Sequence, residues 1–496
     1  MLIKAHAITL VLLISLFVSN QANSKIKLDG WLELKSEHFT LYTDVDAEEA
    51  KKLILDLELL HVVVLKITNA PQQKFTVPTH VFLFKRTGDF RSLNPSRRWA
   101  GFFRPGMEVN YAALANKSGH LDSNAVIYHE YVHQLLRNGS SNYPKWYDEG
   151  LAEFFAAVNV DDGNVILGGE SIRLRSLQNT IAKVSLDKTV NHDDTWGQNS
   201  TLDSYMYAIS WATLNYMYTG FMAGLPRYGD KIPEYLSRLN QNEDRTKSFE
   251  LAFGISTLQM EKDVYDYFQL KRRGVLRIPL DRFPHNTAVS ITAMTPDKIR
   301  LPLIKLVNPG NPKAAQQLLA PVLEADGENW QYQIELIRSW QYQGEWDKAL
   351  KAASSTLSEQ APLTYRQYGN LLLDYCYQRQ TTIPCDKEFS QAEILFNKAL
   401  AQHPDDVVTR AGLSKTLSMM NQNLLDAKEH SLAALERLPY HPMNNYWHGH
   451  ILFQLEDYQA ALPYLEKAEK WAHQDLVRSY ARKDIELIQK RIAKPK

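Results

Sequence analysis

Two short helical segments in the middle of the chain carry the pattern that most restricts how the protein can fold. The first contains His129 and His133, four positions apart, with Glu130 directly after the first histidine. The second contains Glu149 and Glu153, also four positions apart. Helix residues with this spacing lie on one face, a turn from each other. The two helices must therefore lie side by side if these side chains are to meet.

The residue types in these segments are typical of a zinc site. Two imidazoles and one carboxylate suit Zn²⁺ in tetrahedral coordination and leave the fourth position to water. His129 and His133 can reach one ion because they share a helix face. Glu130 can take a proton from that water. Zn²⁺ is therefore the predicted cofactor, and the alternative is a solvent-exposed helix whose acids and histidines have no common function.

Residues around the motif are typical of helix ends. Positions 122–124 (Asp, Ser, Asn) can cap a helix N-terminus, and Asn138 with Gly139 can end the helix. Pro144 is favourable as a first helical residue and opens the second helix. Gly150 lacks a side chain at a position where two helices would need to approach closely.

The segments HEYVHQLL and YPKWYDEGLAEFF resemble the gluzincin superfamily of zinc metallopeptidases, in particular its peptidase-MA-like branch. The resemblance implies that His129, His133 and Glu149 are zinc ligands and that Glu130 is the general base. It also implies that Glu153 orients a ligand histidine from behind. The interval to the third ligand is shorter than in thermolysin-like or aminopeptidase gluzincins, so their substrate pockets are not transferred to this chain.

A tyrosine-rich helical pattern at 201–221 provides candidates for stabilising a reaction intermediate. Gluzincins use a donor for the oxyanion of the tetrahedral intermediate, usually His or Tyr. The segment from Tyr207 through Ser210 to Trp211 resembles the family's Tyr-x-x-Ser-Trp pattern. Tyr207 is the predicted donor, with Tyr205 and His192 as substitutes. The alternative is a tyrosine packed in an amphipathic helix with its hydroxyl satisfied locally.

Strand and helix patterns alternate ahead of the motif. Strand patterns at His38–Thr43 and His80–Lys85 flank a helical pattern at Glu48–Ile67, and a hairpin turns at Pro105–Gly106. In gluzincins a small sheet precedes the motif helix, and its edge strand pairs with extended substrate. Glu108–Ala113 is the predicted edge strand. Within this strand we expect Glu108, Asn110 and Ala112 to contact the substrate.

The first residues of the chain are typical of a secretory signal peptide. Lys4 precedes an apolar run at 7–18, and Ala22-Asn23-Ser24 fits a cleavage site. The run is too short to span a bilayer, and no later run approaches that length. We therefore expect residues 1–24 to be removed and the protein to be exported, either periplasmic or secreted. An uncleaved membrane anchor is the alternative.

Charge and cysteine content narrow the class of protein further. Because 56 basic and 56 acidic residues balance, nothing indicates a nucleic-acid or anionic-membrane partner. Cys376 and Cys385 are the only cysteines, and in an exported protein they favour one disulfide closing a short loop. Two separate thiols are the alternative.

A repeat of small residues and prolines runs through the second half of the chain. It recurs after 35 and then 34 residues, which resembles the tetratricopeptide period and predicts a solenoid of helix pairs with a concave groove. The groove would hold peptide substrate or a protein partner. A helical bundle without repeats is the alternative. The repeated positions are Ala392, Ala399, Pro404; Ala427, Ala434, Pro439; and Ala461, Ala468.

These patterns together predict an α+β gluzincin-like metallopeptidase domain followed by an all-α tetratricopeptide-like solenoid. The first domain would combine a small mixed sheet, the motif helix and a helical subdomain. The predicted boundaries are 1–24 signal peptide, 25–272 metallopeptidase domain, 273–302 connector and 303–496 helical repeats.

The predicted function is hydrolysis of peptide bonds in a peptide or protein substrate by an exported zinc enzyme. One alternative is an envelope scaffold that acts through its repeats and has an idle peptidase-like domain. Another is an exported peptidase of a different family that also joins an H-E-x-x-H domain to tetratricopeptide repeats. In that family the third ligand lies much further along the chain than Glu149.

Overall fold

The computed structural model of the protein describes most of the chain, and every structural statement below concerns the described residues. The predicted signal peptide (1–24) and His192 lie outside them, as do Asp122, Asn138 and Gly139 of the predicted helix caps. The described ranges are 26–69, 77–93, 101–116, 123–137, 143–169, 184–191, 200–241, 243–271, 273–379, 385–472 and 475–492.

The N-terminal part is built on a six-stranded mixed sheet with the strand order β4-β5-β3-β2-β1-β9. Strands β2, β3 and β5 are parallel to one another, and the other pairs are antiparallel. A second sheet has three strands in the order β6-β7-β8. The strands are β1 Leu32–Lys35, β2 Phe39–Thr43, β3 Thr79–Phe84, β4 Gly101–Arg104, β5 Asn110–Ala115, β6 Asn159–Asp161, β7 Asn164–Leu167, β8 Leu276–Pro279 and β9 Ser290–Ala293.

Nine helices of the N-terminal part surround the sheets within the described residues. They are α1 Ala47–Thr68, α2 Thr87–Leu93, α3 Ser123–Arg137, α4 Lys145–Ala156, α5 Leu186–Asn191, α6 Ser200–Thr219, α7 Ile232–Asn240, α8 Arg245–Phe253 and α9 Thr257–Gln269. Short 3-10 turns occupy Gly220–Ala223, Gly229–Lys231 and Leu280–Arg282.

The C-terminal part is mostly helical. Its helices are α10 Pro296–Val307, α11 Pro312–Ala325, α12 Trp330–Tyr342, α13 Trp346–Ser355, α14 Pro362–Arg379, α15 Asp386–Gln402, α16 Val407–Met420, α17 Leu424–Arg437, α18 Pro442–Gln454, α19 Tyr458–Trp471 and α20 Asp475–Ile492. No helix among the described residues is both long and apolar enough to cross a membrane.

The main sheet is covered on both faces because side chains alternate along its strands. On β3, Val81 and Leu83 belong to the large core that contains α1, α3, α4 and α6. Phe82 and Phe84 face the opposite side and pack with Leu303 on α10. The first helix of the C-terminal part therefore completes the core of the N-terminal sheet.

The segment predicted as a connector, 273–302, carries strands as expected but belongs to the N-terminal part. Strand β8 pairs with β7 in the small sheet, and β9 pairs with β1 at the border of the main sheet. Helix α10 then begins at Pro296 inside this segment. The segment is therefore not separate from the N-terminal part, because the main-chain pairing of β8 and β9 joins it to both sheets.

The predicted edge strand is wrong. Strand β5 lies inside the main sheet, because β4 pairs with one side of it and β3 with the other. Ala112 is fully buried, and Asn110 is 1% exposed. Glu108 lies in the turn between β4 and β5, where it forms an ion pair with Arg366 of α14. Among the described strands, β4 is the one that borders the sheet at this end.

The predicted hairpin at Pro105–Gly106 is confirmed as the β4–β5 pair. Strands β6 and β7 are joined by Asp162 and Gly163, both with positive φ, as a two-residue hairpin turn requires. A Cβ on Gly106 would overlap the Val109 carbonyl, so the β4–β5 turn needs glycine at this position.

From α12 onward, consecutive helices pack as hairpins: α12 with α13, α14 with α15, α16 with α17, and α18 with α19. The repeated alanines all lie on second helices of these pairs and are buried. Cys376 on α14 and Cys385, just before α15, form a disulfide with Cα atoms 5.9 Å apart. The arrangement fits the predicted helical repeat, and the cysteine pairing is confirmed.

Candidate metal centre

Helix α3 carries both motif histidines and is fixed to the rest of the core on its other side. The Tyr131 hydroxyl lies 2.7 Å from Nδ1 of His61 on α1, and its ring packs edge-on against Phe39 of β2. The Tyr131 contacts therefore hold α3 by the side turned away from the histidines. Val132 and Leu136, each three residues after one of the histidines, are fully buried.

Helix α4 supplies the third side chain and is wedged between α3 and α6. It begins at Lys145, one residue later than predicted, because Pro144 has an extended backbone and forms the N-cap. A Cβ on Gly150 would lie 2.8 Å from both the Ser210 carbonyl oxygen and Leu214 Cδ1 on α6. Glycine at this position therefore permits the close approach that the sequence indicated, and it sets the position of the neighbouring Glu149.

Three donor atoms from these helices converge. Nε2 of His133 lies 3.1 Å from Nε2 of His129 and 3.0 Å from Oε2 of Glu149. Nε2 of His129 lies 3.3 Å from the same carboxylate oxygen. All three residues are at most 7% exposed. The side chains that the sequence predicted as ligands thus meet at one buried point.

The spacing of these atoms fits a tetrahedral zinc ion. Zinc binds imidazole nitrogen and carboxylate oxygen at about 2.0–2.1 Å, so ligand atoms on a regular tetrahedron are ~3.4 Å apart. The observed separations of 3.0, 3.1 and 3.3 Å are close to this value. Two neutral imidazoles and one carboxylate are also the donor types that zinc prefers.

A carboxylate stands behind each imidazole. Oε1 of Glu153 lies 3.2 Å from Nδ1 of His129, and Oδ1 of Asp148 lies 3.1 Å from Nδ1 of His133. Glu153 is fully buried. Such contacts place the ring proton on Nδ1 and leave Nε2 free to bind a metal. The predicted position of Glu153 agrees with the structure, whereas Asp148 was missed.

Electrostatics favour positive charge at this point. Burial opposes protonation of His133, yet Asp148 and Glu149 raise its pKa well above the ordinary value. Burial likewise opposes ionisation of Glu149, yet the two histidines hold its pKa well below the ordinary value. The pKa of His129 is raised against its burial by Glu153 and Glu149. A bound cation would supply the positive charge that these protons otherwise bring to the buried carboxylates.

The remaining predicted site residues lie at different distances from this point. Glu130 is half-buried on α3, and no hydrogen bond or ion pair to its carboxylate is found within the described residues. The Tyr207 ring centre lies 6.1 Å from that of His129, so α6 brings this tyrosine beside the first ligand. Tyr205 is half-buried against the main core.

A second polar group, absent from the sequence prediction, lies behind α3. Glu58 on α1 accepts hydrogen bonds from the backbone N–H and Nδ1 of His38, at 2.8 and 2.7 Å. The His38 ring stacks on His61 with centres 3.9 Å apart, and His61 contacts Tyr131. Apart from Glu58 and His61, which share α1, these residues are far apart in sequence, so only the fold reveals the group.

Comparisons with known proteins add a partial match. A family model described as "Protein of unknown function (DUF1570)" matches residues 123–233, which include α3, α4 and α6. No curated protein sequence matches the chain. A solved structure titled "MamA RS-1 ArsTM double mutant" is 15% identical with a TM-score of 0.27, covering 37% of this chain and 96% of that one. Another, "MamA MSR-1 C2", is 17% identical with a TM-score of 0.27, covering 40% and 96%.

Proposed function

We propose that the protein is a zinc-dependent metallopeptidase of gluzincin type. The observation that carries the proposal is the buried convergence of His129, His133 and Glu149, whose donor atoms lie 3.0–3.3 Å apart. Glu153 and Asp148 stand behind the two imidazoles, so each ring is oriented by a carboxylate. A surface helix with incidental histidines would not bury four ionisable side chains, those of His129, His133, Glu149 and Glu153, around one point.

The residues around this point have distinct roles in hydrolysis. A zinc ion held by the three ligands would polarise the scissile carbonyl and lower the pKa of water. Glu130 takes the proton of the attacking water and passes it to the leaving amine nitrogen. Tyr207, beside His129, donates its hydroxyl hydrogen bond to the developing oxyanion.

The substrate would pair with β4 rather than with β5. Strand β4 packs against α3 and borders the main sheet within the described part of the chain. An extended peptide added at this border gains main-chain hydrogen bonds that do not depend on its sequence. We therefore assign main-chain pairing with the substrate to Gly101–Arg104 instead of Glu108, Asn110 and Ala112.

The disulfide supports an oxidising location. The Cys376–Cys385 bond joins the two helices of one hairpin, and such bonds persist in exported proteins. Together with the signal-peptide pattern at 1–24, this indicates a periplasmic or secreted enzyme.

The test combines metal analysis with a peptide-library assay. Wild type, Glu130→Gln and the exposed control Glu250→Gln are purified with zinc, and their zinc content is measured. Each is incubated with peptides from a whole-proteome digest, and new termini are identified by mass spectrometry. We expect one zinc per chain in all three, with cleavage by wild type and Glu250→Gln only. Cleavage by Glu130→Gln, or no cleavage by zinc-loaded wild type, would contradict the proposal.

A further variant separates this proposal from the other peptidase family considered above. Glu149→Gln removes the charged ligand at nearly constant size. If Glu149 is the third ligand, zinc affinity falls by about two orders of magnitude or more, since the site loses its only anionic ligand. Unchanged zinc affinity would place the third ligand elsewhere in the chain.

An envelope scaffold is the second candidate function. The observation that favours it is a row of polar contacts across the first helices of successive pairs. Gln341 on α12 donates to Asp374 on α14 at 2.6 Å, and Lys415 on α16 lies 4.7 Å from the ring centre of Tyr377. Such a row can hold a protein partner. A strain in which the gene is deleted is complemented with wild type or with Glu130→Gln. If both remove the defect equally well, the scaffold function is favoured over the enzyme.

A further inference from the structure

A cavity of about 440 Å³ lies where the sheet meets the helical part, away from the residues of the metal centre. The β4–β5 turn forms one wall, and helices α10, α12 and α14 form the others. We call it the junction cavity. Its volume is within the range of sites that hold a small molecule or a few peptide residues.

The wall of the junction cavity has an excess of positive charge. Its basic side chains are Arg104, Lys305, Arg338 and Arg366, and its acidic ones are Glu108 and Glu335. The protein as a whole is neutral, with equal numbers of basic and acidic residues. The excess of two positive charges is therefore a local feature.

Two of the four basic side chains are neutralised within the wall. Arg366 forms a bidentate ion pair with Glu108, at 2.8 and 3.0 Å, and also contacts Asp406. Arg338 forms an ion pair with Glu335 at 2.8 Å. These pairs hold the cavity in shape and use up both acidic groups of its wall.

The other two basic side chains have no carboxylate partner within the described residues. Arg104 donates to the main-chain carbonyls of Lys305 and Leu306, at 3.1 and 3.0 Å, at the C-terminus of α10. Burial lowers the pKa of its guanidinium, which nevertheless stays protonated, and a nearby anion would offset the cost of burying that charge. Lys305 is half-buried, and no described residue forms an ion pair with its ammonium group. Positive charge is thus left over for a ligand.

The wall also offers a buried hydrogen-bond acceptor. Asn308 is 1% exposed, and its Nδ2 donates to Glu335, at 2.7 Å to the main-chain oxygen and 3.0 Å to Oε2. Its Oδ1 is buried and has no hydrogen-bond partner in the part of the chain that the structure describes. A buried carbonyl oxygen of this kind is costly to leave unpaired. A peptide N–H is a donor that would satisfy it.

We propose that the junction cavity binds an acidic segment of the polypeptide substrate, with Lys305 and Arg104 opposite its carboxylates and Asn308 Oδ1 accepting a main-chain N–H. Trp330 and Ile334 on α12 add apolar surface for the aliphatic parts of the segment. This assignment rests on the proposed peptidase function and names the class of substrate, a chain with glutamate or aspartate near the scissile bond.

The position of the cavity relative to β4 supports this use. Strand β4 packs against α3, and its last residue, Arg104, is part of the cavity wall. The four residues of β4 span roughly 10 Å at ~3.3 Å per residue. A peptide extended along β4 would therefore pass α3 and reach the junction cavity within a few residues.

The experiment measures binding apart from cleavage. Two fluorescein-labelled mixtures of decapeptides, random except for three fixed positions, carry either glutamate or glutamine at those positions. They are titrated with zinc-loaded Glu130→Gln, and fluorescence anisotropy is recorded. Lys305→Glu is then added to this background, and Lys298→Glu, on an exposed position of the same helix, serves as the matched control.

We expect the glutamate mixture to bind at least about tenfold more tightly than the glutamine mixture. Lys305→Glu should remove this preference, and Lys298→Glu should keep it. Equal affinity for both mixtures, or equal effects of the two lysine variants, would overturn the assignment. If circular dichroism shows that Lys305→Glu is unfolded, Lys305→Gln replaces it, and the preference should fall in the same direction.

The outcomes separate the two proposals. Preferential binding of the glutamate mixture, together with no cleavage of the proteome digest by zinc-loaded wild type, contradicts the peptidase and leaves the cavity as an acidic-peptide site. Cleavage of the digest without any enrichment of acidic residues around the new termini contradicts the cavity assignment and leaves the peptidase.

Discussion

Replacing Gly150 by alanine tests how the metal centre is positioned. The added Cβ would lie 2.8 Å from the Ser210 carbonyl oxygen and from Leu214 Cδ1. Leu214 can change rotamer, but the carbonyl belongs to α6 and cannot move without that helix. Overpacking of this kind costs about 1–3 kcal/mol. We expect α4 to shift away from α6 and to carry Glu149 away from the two histidines.

The measurement combines urea denaturation with a zinc competition titration. Gly150→Ala should lose about 1–3 kcal/mol of unfolding free energy and bind zinc at least about tenfold more weakly, because a displaced ligand loses its bond geometry. Gly88→Ala is the matched control, since a Cβ on Gly88 in α2 meets no atom within 4 Å. The unfolding free energy of Gly88→Ala should equal that of wild type or exceed it by up to ~1 kcal/mol.

The reasoning would be refuted if Gly150→Ala matched Gly88→Ala in both stability and zinc affinity. Lower stability with unchanged zinc affinity would show that α4 is packed tightly but that the ligand position does not depend on this contact.

Three further predictions concern Glu153, the His38–Glu58 pair and the disulfide. Glu153→Gln should lower zinc affinity about 10–100-fold in a competition titration, since it weakens the contact that orients His129; unchanged affinity would contradict that role. The hydrogen bond to Glu58 raises the pKa of His38. Burial opposes ionisation of Glu58, but the hydrogen bonds from His38 lower the pKa of Glu58 nevertheless. The Glu58 contribution to stability is lost as pH falls below its ordinary pKa of 4.5, and the His38 contribution is lost as pH rises above 6.5. Melting temperatures across pH should therefore show His38→Gln most destabilised between these values, and an equal deficit at every pH would be a contrary result. Cys376→Ser should lose up to about 3 kcal/mol in urea denaturation, and wild type in reductant should show the same loss; if reductant has no effect, the bond does not stabilise the protein.

The sequence alone predicts the local helical structure around the metal centre. The spacing of His129 and His133 placed both on one helix face, and Pro144 marked the start of the next helix. Gly150 indicated the close helix contact that the structure shows against α6. These features follow from helix geometry and steric exclusion, which act over a few residues and are readable in a single chain.

Features that depend on distant pairing were not predicted. The sequence patterns predict strand β5 at the sheet border, although the unbroken apolar run from Ala112 to Ala115 is typical of an interior parallel strand. The sequence of strand β9 alternates polar and apolar residues, but this pattern does not indicate which strand it pairs with, and β9 is exposed along its whole length where it pairs with β1. Asp148 was overlooked because its contact with His133 depends on how α4 is rotated against α3.

Zinc X-ray absorption spectroscopy tests the central claim most directly. For wild type loaded with one equivalent of zinc, the account predicts two imidazole nitrogens and oxygen ligands at about 2.0–2.1 Å. The spectrum of Glu149→Gln should change, and that of the exposed control Glu250→Gln should not. A zinc ion without two imidazole ligands, or a spectrum unaffected by Glu149→Gln, would contradict the claim that these three side chains hold one metal ion.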